Sequence, residues 1–252
     1  MKLLSIGEIL WDVLPAGKRL GGAPYNLAAQ ARKLGHDVVL MSAVGDDDLG
    51  RGALELASVP TDYIAVVTDA PTGTVTVALD AEGQPAFTIH RPAAYDYIPP
   101  MTLEFEPDWI CFGTLLQMTP AMRQLVAETI KAYPRARRFY DVNLRPGNYT
   151  PELVQDLMRL ATVVKLNEDE ERTFGPQSWE MACITRGAAG CTIVMDGARY
   201  DCPGYPVKSA NTVGAGDAFS AAFLHGLEQG WPPERIGDFA NRIAARVVTG
   251  TT

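Results

Sequence analysis

Histidine and cysteine are scarce in the 252-residue chain, with three of the first and four of the second. His36, His90 and His225 are scattered and show no ligand spacing, so each reads as a surface or packing residue. Cys111, Cys183, Cys191 and Cys202 form no Cys-x-x-Cys pair and stand in apolar, strand-like surroundings. That pattern argues for buried thiols in a reducing compartment and against a zinc site. Positive charge is short as well: 22 Lys and Arg face 30 Asp and Glu, a net charge of −8. The basic footprint of a nucleic-acid surface is therefore missing. A phosphorylated ligand is not excluded, because backbone N–H groups bind phosphate within an acidic protein. No window approaches the roughly 18 apolar residues of a membrane span. The apolar part of M-K-L-L-S-I-G is too short for a signal peptide. The expectation is a cytoplasmic protein with neither a nucleic-acid nor a membrane partner.

Two nucleotide-binding fingerprints are absent too. G-D-D-D-L-G-R-G (45–52) has the spacing of a P-loop, but it lacks Gly-Lys-Ser/Thr and sets three carboxylates where phosphate would lie. It reads as a solvated turn and helix start. Gly-x-Gly-x-x-Gly fails at the C-terminal glycines, where Phe219 takes the third position after Gly214 and Gly216. Neither a P-loop NTPase nor a Rossmann dehydrogenase fits.

What the chain does contain is an ordinary globular composition, 47% hydrophobic and 21% charged, long enough for one α/β domain with an appendage. D-W-I-C-F-G (108–113), R-F-Y-D-V-N (138–143), T-V-V-K-L-N (162–167) and M-A-C-I-T-R-G (181–187) are apolar strand-like runs. Helical segments separate them, two of which open with Thr-Pro, at 119–120 and 150–151. K-L-L-S-I-G, a helix from Pro24 to Gly35, and D-V-V-L-M-S-A-V-G supply the same alternation at the start. Such a pattern predicts a mostly parallel sheet covered on both faces. Residues 73–91 differ: T-V-T-V-A-L-D and P-A-F-T-I-H-R alternate around A-E-G, which predicts an antiparallel hairpin. We read it as part of a small β lid, formed by segments about 10–20 and 62–97 inserted in a single domain spanning 1–252. Hairpins from two chains could pair there into a homodimer.

The stretch N-T-V-G-A-G-D-A-F (211–219) runs into an apolar segment with Phe219, Ala222, Phe223 and Gly226 on one helical face. Gly214, Ala215 and Gly216 then present N–H groups at a helix N-terminus, where the dipole favours negative charge. Asp217 beside them should stay ionised, and a base next to an anion cradle suits phosphoryl transfer.

That stretch, together with G-G-A-P-Y-N-L-A-A-Q-A-R-K-L-G (21–35), resembles the two signature motifs of the PfkB carbohydrate kinases, the ribokinase-like fold. The likeness runs in order along essentially the whole chain. G-E-I-L-W-D-V-L-P (7–15) and D-V-N-L-R-P (141–146) bring it nearest the fructokinase branch. The resemblance implies a three-layer α/β/α core with a mostly parallel sheet and a small β lid. It also implies Asp217 as catalytic base and Gly214, Ala215 and Gly216 as anion hole. Sugar hydroxyls would be held by Asp12, Gly21, Gly22 and Asn26, with Arg91, Asn143 and Arg145 facing sugar and phosphates. On the nucleotide side stand Lys165, Asn167, Thr185, Gly187 and Gly190, with Asn241 near the adenine. Glu170 of the Asn-x-x-Glu pattern would organise magnesium through water. Two departures carry expectations of their own. Asn211 stands where the family has Asp, which predicts indifference to potassium. The end at Thr252, earlier than is usual for relatives, bears on ATP affinity and monovalent-cation use and leaves both open.

The expected activity is ATP-dependent phosphorylation of a primary sugar hydroxyl, fructose to fructose 6-phosphate in the first instance. Alternatives left open are a kinase for ribose, 2-keto-3-deoxygluconate or a nucleoside, and an inactive sugar- or nucleotide-binding regulator.

Overall fold

Adjacent leucines at the start of the chain point to opposite sides of one sheet: Leu3 packs into one apolar layer and Leu4 into the other, both fully buried. The computed structural model describes residues 1–14, 17–79, 85–175, 177–207 and 213–250. Asn211 and the turn at 81–83 fall outside them. The first elements are β1 (Lys2–Ile6), β2 (Leu10–Leu14), β3 (Gly17–Gly21), α1 (Ala23–Lys33), β4 (Asp37–Gly45) and α2 (Asp48–Leu56). Next come β5 (Ile64–Val67), β6 (Gly73–Leu79), β7 (Pro85–His90), β8 (Trp109–Gly113), α3 (Pro120–Ala132) and β9 (Arg137–Asp141). The chain continues through α4 (Pro151–Leu160), β10 (Val163–Asn167), α5 (Glu168–Phe174) and β11 (Met181–Thr185). It closes with β12 (Gly190–Met195), β13 (Ala198–Pro203), α6 (Ala215–Glu228) and α7 (Pro233–Thr249).

Nine strands form one sheet in the order β13-β12-β11-β10-β9-β8-β1-β4-β5. It is parallel from β11 to β5, and antiparallel only where β12 and β13 turn back. Strands buried on both faces need apolar residues throughout, which is why the sequence shows runs rather than alternation. One layer holds α3 and α4 through Met122, Val126, Leu153 and Leu157, and the opposite layer holds α1, α6 and α7 through Ala28, Phe223 and Ile236. This is the three-layer α/β/α arrangement. All four cysteines are buried free thiols, and among the described residues no helix is long and apolar enough to cross a membrane.

A second sheet has the order β3-β2-β6-β7. The hairpin expected from 73–91 is there, with Thr74 opposite His90 and Val77 opposite Phe87. It joins β2–β3 through a parallel β2–β6 pairing, Leu10 opposite Gly73. The small sheet is narrower than 62–97, because Ile64–Val67 pairs with β4 in the large sheet. The pseudo-P-loop at 45–52 is a helix start, with Asp47 capping α2 by accepting from the N–H of Gly50 at 2.7 Å.

From β1 the chain moves to β4 and β5 on one side, then returns to β8, β9 and β10 on the other. The order therefore reverses between β1 and β8, the place where sheets of this kind bind ligands at the carboxyl ends of their strands.

Candidate active site

A cleft of about 310 Å³ opens at that reversal. Glu8 follows β1, Gly113 ends β8 with Thr114 and Leu115 after it, and Asn143 and Arg145 follow β9. Asp12, Val75, Phe87 and Ile89 of the small sheet form the facing wall, while Gly214, Gly216 and Asp217 close one end.

Local geometry explains how α6 delivers its carboxylate. Gly214 caps the helix with φ 83°, a left-handed conformation that glycine adopts without steric cost. The first intrahelical bond runs from the N–H of Ala218 to the carbonyl of Gly214 at 3.0 Å. Ala215, Gly216 and Asp217 thus precede it, and their amides are among the four that a helix leaves unpaired at its start. Asp217 lies within the first turn and does not itself cap the helix. Its Oδ2 accepts 2.8 Å from Nδ2 of Asn26, a residue of α1 lying 191 positions earlier. Gly22, at φ 106°, starts α1; a side chain there would place its Cβ 2.3 Å from the Glu8 carbonyl.

Four carboxyls and three cations meet around the cleft. Burial pushes the Asp217 carboxyl up to about 6, and Asp141 pushes the same way, against Asn26, Lys165 and Arg145. Burial holds Glu8 at about 7, opposed by its own backbone N–H and by Arg145 and reinforced by Asp217. Asp12 is raised by burial and held back by Arg19 and Arg145. Arg145 is therefore a shared counter-charge to three carboxyls. Behind them, Lys165 Nζ donates to both oxygens of Asp141 at 3.0 and 3.1 Å, with both residues buried. Ser220 on α6 donates to Asp141 Oδ2 at 3.2 Å.

Of the residues singled out in the sequence, Asp12, Gly22, Asn26, Asn143, Arg145, Lys165, Gly214, Gly216 and Asp217 line one cleft. Asn143 does so in a left-handed conformation, φ 40°. Gly21 stands behind Asp12, with Ala215 between two lining residues. Arg91 is not brought there. Its guanidinium binds both oxygens of Asp96, the Thr119 hydroxyl and the Leu115 carbonyl. Asp96 is 5% exposed, and a carboxylate so buried needs that partner.

Thr185 ends β11 directly opposite Asn167 at the end of β10, and Gly187 and Gly190 shape the turn into β12. They occupy neighbouring strand ends outside the cleft lining. Asn241 donates its amide to the carbonyls of Cys202 and Pro203. Glu170 and Asn167 form a reciprocal cap on α5, and Glu170 also accepts from the Leu144 N–H at 2.7 Å. Each Glu170 oxygen retains a second lone pair, so one water-mediated contact to a cation fits. Among the described residues no three His, Cys, Asp or Glu gather to hold a metal by themselves. Magnesium needs no such cage, since it keeps several waters and leans on substrate phosphates.

The sequence reading passed over Glu8 and Asp141. Each stands in a stretch quoted for another residue, and a carboxylate beside an apolar strand was the available signal.

A carboxylate in the first turn of a helix, facing a polar cleft at the sheet's reversal, equips a phosphotransferase with an alcohol group as acceptor. The family described as "pfkB family carbohydrate kinase" matches residues 13–252, and the chain belongs to it. An uncharacterized sugar kinase of Pyrococcus horikoshii is 29% identical over 96% of this chain and 88% of its own. Its crystal structure in complex with ATP superposes with a TM-score of 0.88, covering 98% of this chain and 92% of that one. A fructokinase of Klebsiella pneumoniae is 28% identical, covering 99% of this chain and 92% of its own, and a ribokinase of Bacillus subtilis is 30% identical, covering 89% and 80%. The chain is a sugar kinase.

Proposed function

We propose that this sugar kinase uses ATP to phosphorylate a primary hydroxyl, fructose to fructose 6-phosphate being the first reaction to test. The observation that carries the reading is Asp217, held by Asn26 beside the free amides of α6 in the cleft that also contains Asp12. The sugar oxygen attacks the γ-phosphorus, the bond to the departing ADP oxygen breaks, and Asp217 takes the hydroxyl proton. The amides of Ala215 and Gly216 stabilise charge on the transferring group. Asp12, Gly22, Asn26 and Asn143 hold the sugar, and the Val75, Phe87 and Ile89 wall of the small sheet acts as a lid that excludes water. The Pyrococcus relative was solved in complex with ATP, which supports ATP as the donor, and ATP would lie along the ends of β10 and β11 beside the cleft. Glu170 would hold magnesium through water, and the ion supplies charge neutralisation on the triphosphate.

A coupled ADP-release assay over fructose, ribose, 2-keto-3-deoxygluconate and nucleosides tests the reading. Fructose should give the highest kcat/KM. Preference for ribose would move the chain toward its Bacillus relative, and no turnover on any acceptor would favour a regulator.

Two variants probe the groups that touch the sugar. Asp12→Ala should weaken fructose binding by about 1.5–3 kcal/mol, the worth of a hydrogen bond to a charged group, with ATP affinity nearly unchanged. Titration calorimetry showing equal fructose affinity would place the sugar elsewhere. Asn26→Leu removes a donor that favours ionised Asp217. The Asp217 carboxyl should then rise above about 6, and the acid limb of kcat/KM should move to higher pH. An unmoved limb would mean that the Asn26 bond does not tune the base.

A further inference from the structure

Arg19 is on β3, directly opposite Asp12 of β2. Opposed residues of an antiparallel pair share a face, so Arg19 leaves the small sheet on the side that Asp12 turns to the cleft. It does not stop at Asp12. The two form no ion pair, and the guanidinium extends to α6, where a Cβ on Gly214 would stand 3.7 Å from Nη2. Arg19 is exposed and makes no hydrogen bond or ion pair among the described residues. Exposed arginines at 51, 159, 172, 199 and 242 have a carboxylate partner. Arg135 and Arg246 resemble Arg19 in having none among the described residues, so what sets Arg19 apart is its place against the start of α6. An unpaired planar fork of donors thus faces the unpaired amides of a 14-residue helix, with Asp217 in its first turn. A phosphoryl oxygen matches the guanidinium fork.

We propose that Arg19 is a catalytic residue, carried by the small sheet to the group being transferred and donating to its oxygens as charge builds there. The inference rests on the reading of the cleft given above and adds a group that neither signature motif contains. Arg19 forms and breaks no covalent bond; the sugar oxygen displaces ADP, and the proton goes to Asp217. The small sheet would then do more than shield the sugar, because phosphoryl transfer would be complete only with β3 in place.

The test compares the unmodified chain with Arg19→Ala and Arg19→Lys, using whichever sugar the acceptor screen selects. Arg19→Ala should lower kcat about 10²–10³-fold, the usual loss on removing one transition-state donor. Sugar affinity by calorimetry should stay within about twofold, Arg19→Lys should fall between, and added guanidinium ion should restore part of the Arg19→Ala rate. Because Arg19 is exposed, the thermal midpoint should not move. A kcat within threefold of the unmodified chain overturns the proposal. So does a loss confined to sugar KM, which would make Arg19 a partner of Asp12 only. Turnover absent even from the unmodified chain would overturn the functional reading and this inference with it.

Discussion

Asp217→Asn should lower turnover by about 10²–10⁴-fold, the range for losing a general base, while fructose and ATP still bind. Asparagine keeps the shape and can still meet the amide of Asn26 if its own amide rotates, so the cleft should survive. What disappears is the group that receives the hydroxyl proton. The same carboxyl sets a pH dependence. Held at about 6 by burial, it is mostly ionised at neutral pH and takes up a proton as the pH falls through that value. kcat/KM should therefore decline below about pH 6, tenfold per pH unit once Asp217 is the protonated species. A variant within threefold of the unmodified rate would remove Asp217 from the chemistry and leave catalysis to the donors around the transferring group.

How far the sequence carried these conclusions depends on the range of the interaction. Runs such as W-I-C-F-G and V-V-K-L-N are apolar because both faces of their strands are covered, and that local pattern predicted the parallel sheet. The hairpin at 73–91 was legible for the opposite reason, since one face of the small sheet is open and its residues alternate. Less legible was the assignment of β5, four residues that could belong to either sheet until β4 supplied a partner. The return through β12 and β13 was marked only by the glycines at 187 and 190.

For the site, the glycines and Asp217 announce themselves, because a helix start that exposes its amides needs residues of those types in sequence. The partners do not. Asn26 finds Asp217 across 191 residues, and nothing local to either records the bond. Arg91 illustrates the converse. An arginine at the end of a hairpin looked free to face a ligand, yet Asp96 five positions on claims it. Arg19, which lies outside both signature motifs, reaches the start of α6 only through the pairing of β3 with β2.

Lys165→Met should destabilise the fold by about 3–5 kcal/mol, the cost of leaving a buried charge without its partner. Lys165 and Asp141 are each 7% exposed, with Nζ 3.0 Å from Oδ1. Burial works against the lysine charge, but Asp141, Glu170 and Asp217 outweigh it and hold its pKa above the ordinary value. Methionine fills the space and removes the charge, so Asp141 would stand beside apolar strands without its counter-charge, with Ser220 donating to it. The exposed pair Arg159–Asp156, with side chains 70% and 65% accessible, is the matched control. Solvent screens such a pair, and Arg159→Met should cost no more than about 1 kcal/mol. Adding Asp141→Leu to Lys165→Met should recover much of the stability, because replacing both members of a buried pair by apolar residues is often close to neutral. Activity should not return with it. Asp141 ties Ser220, and through it the first turn of α6, to the sheet, so Asp217 would keep its Asn26 bond but lose the anchor that sets the pose of its helix turn. Denaturant unfolding of the three variants, alongside their turnover, separates the two roles. If Lys165→Met cost no more than Arg159→Met, the pair would be solvated in practice, and it could not be what fixes the base in the cleft.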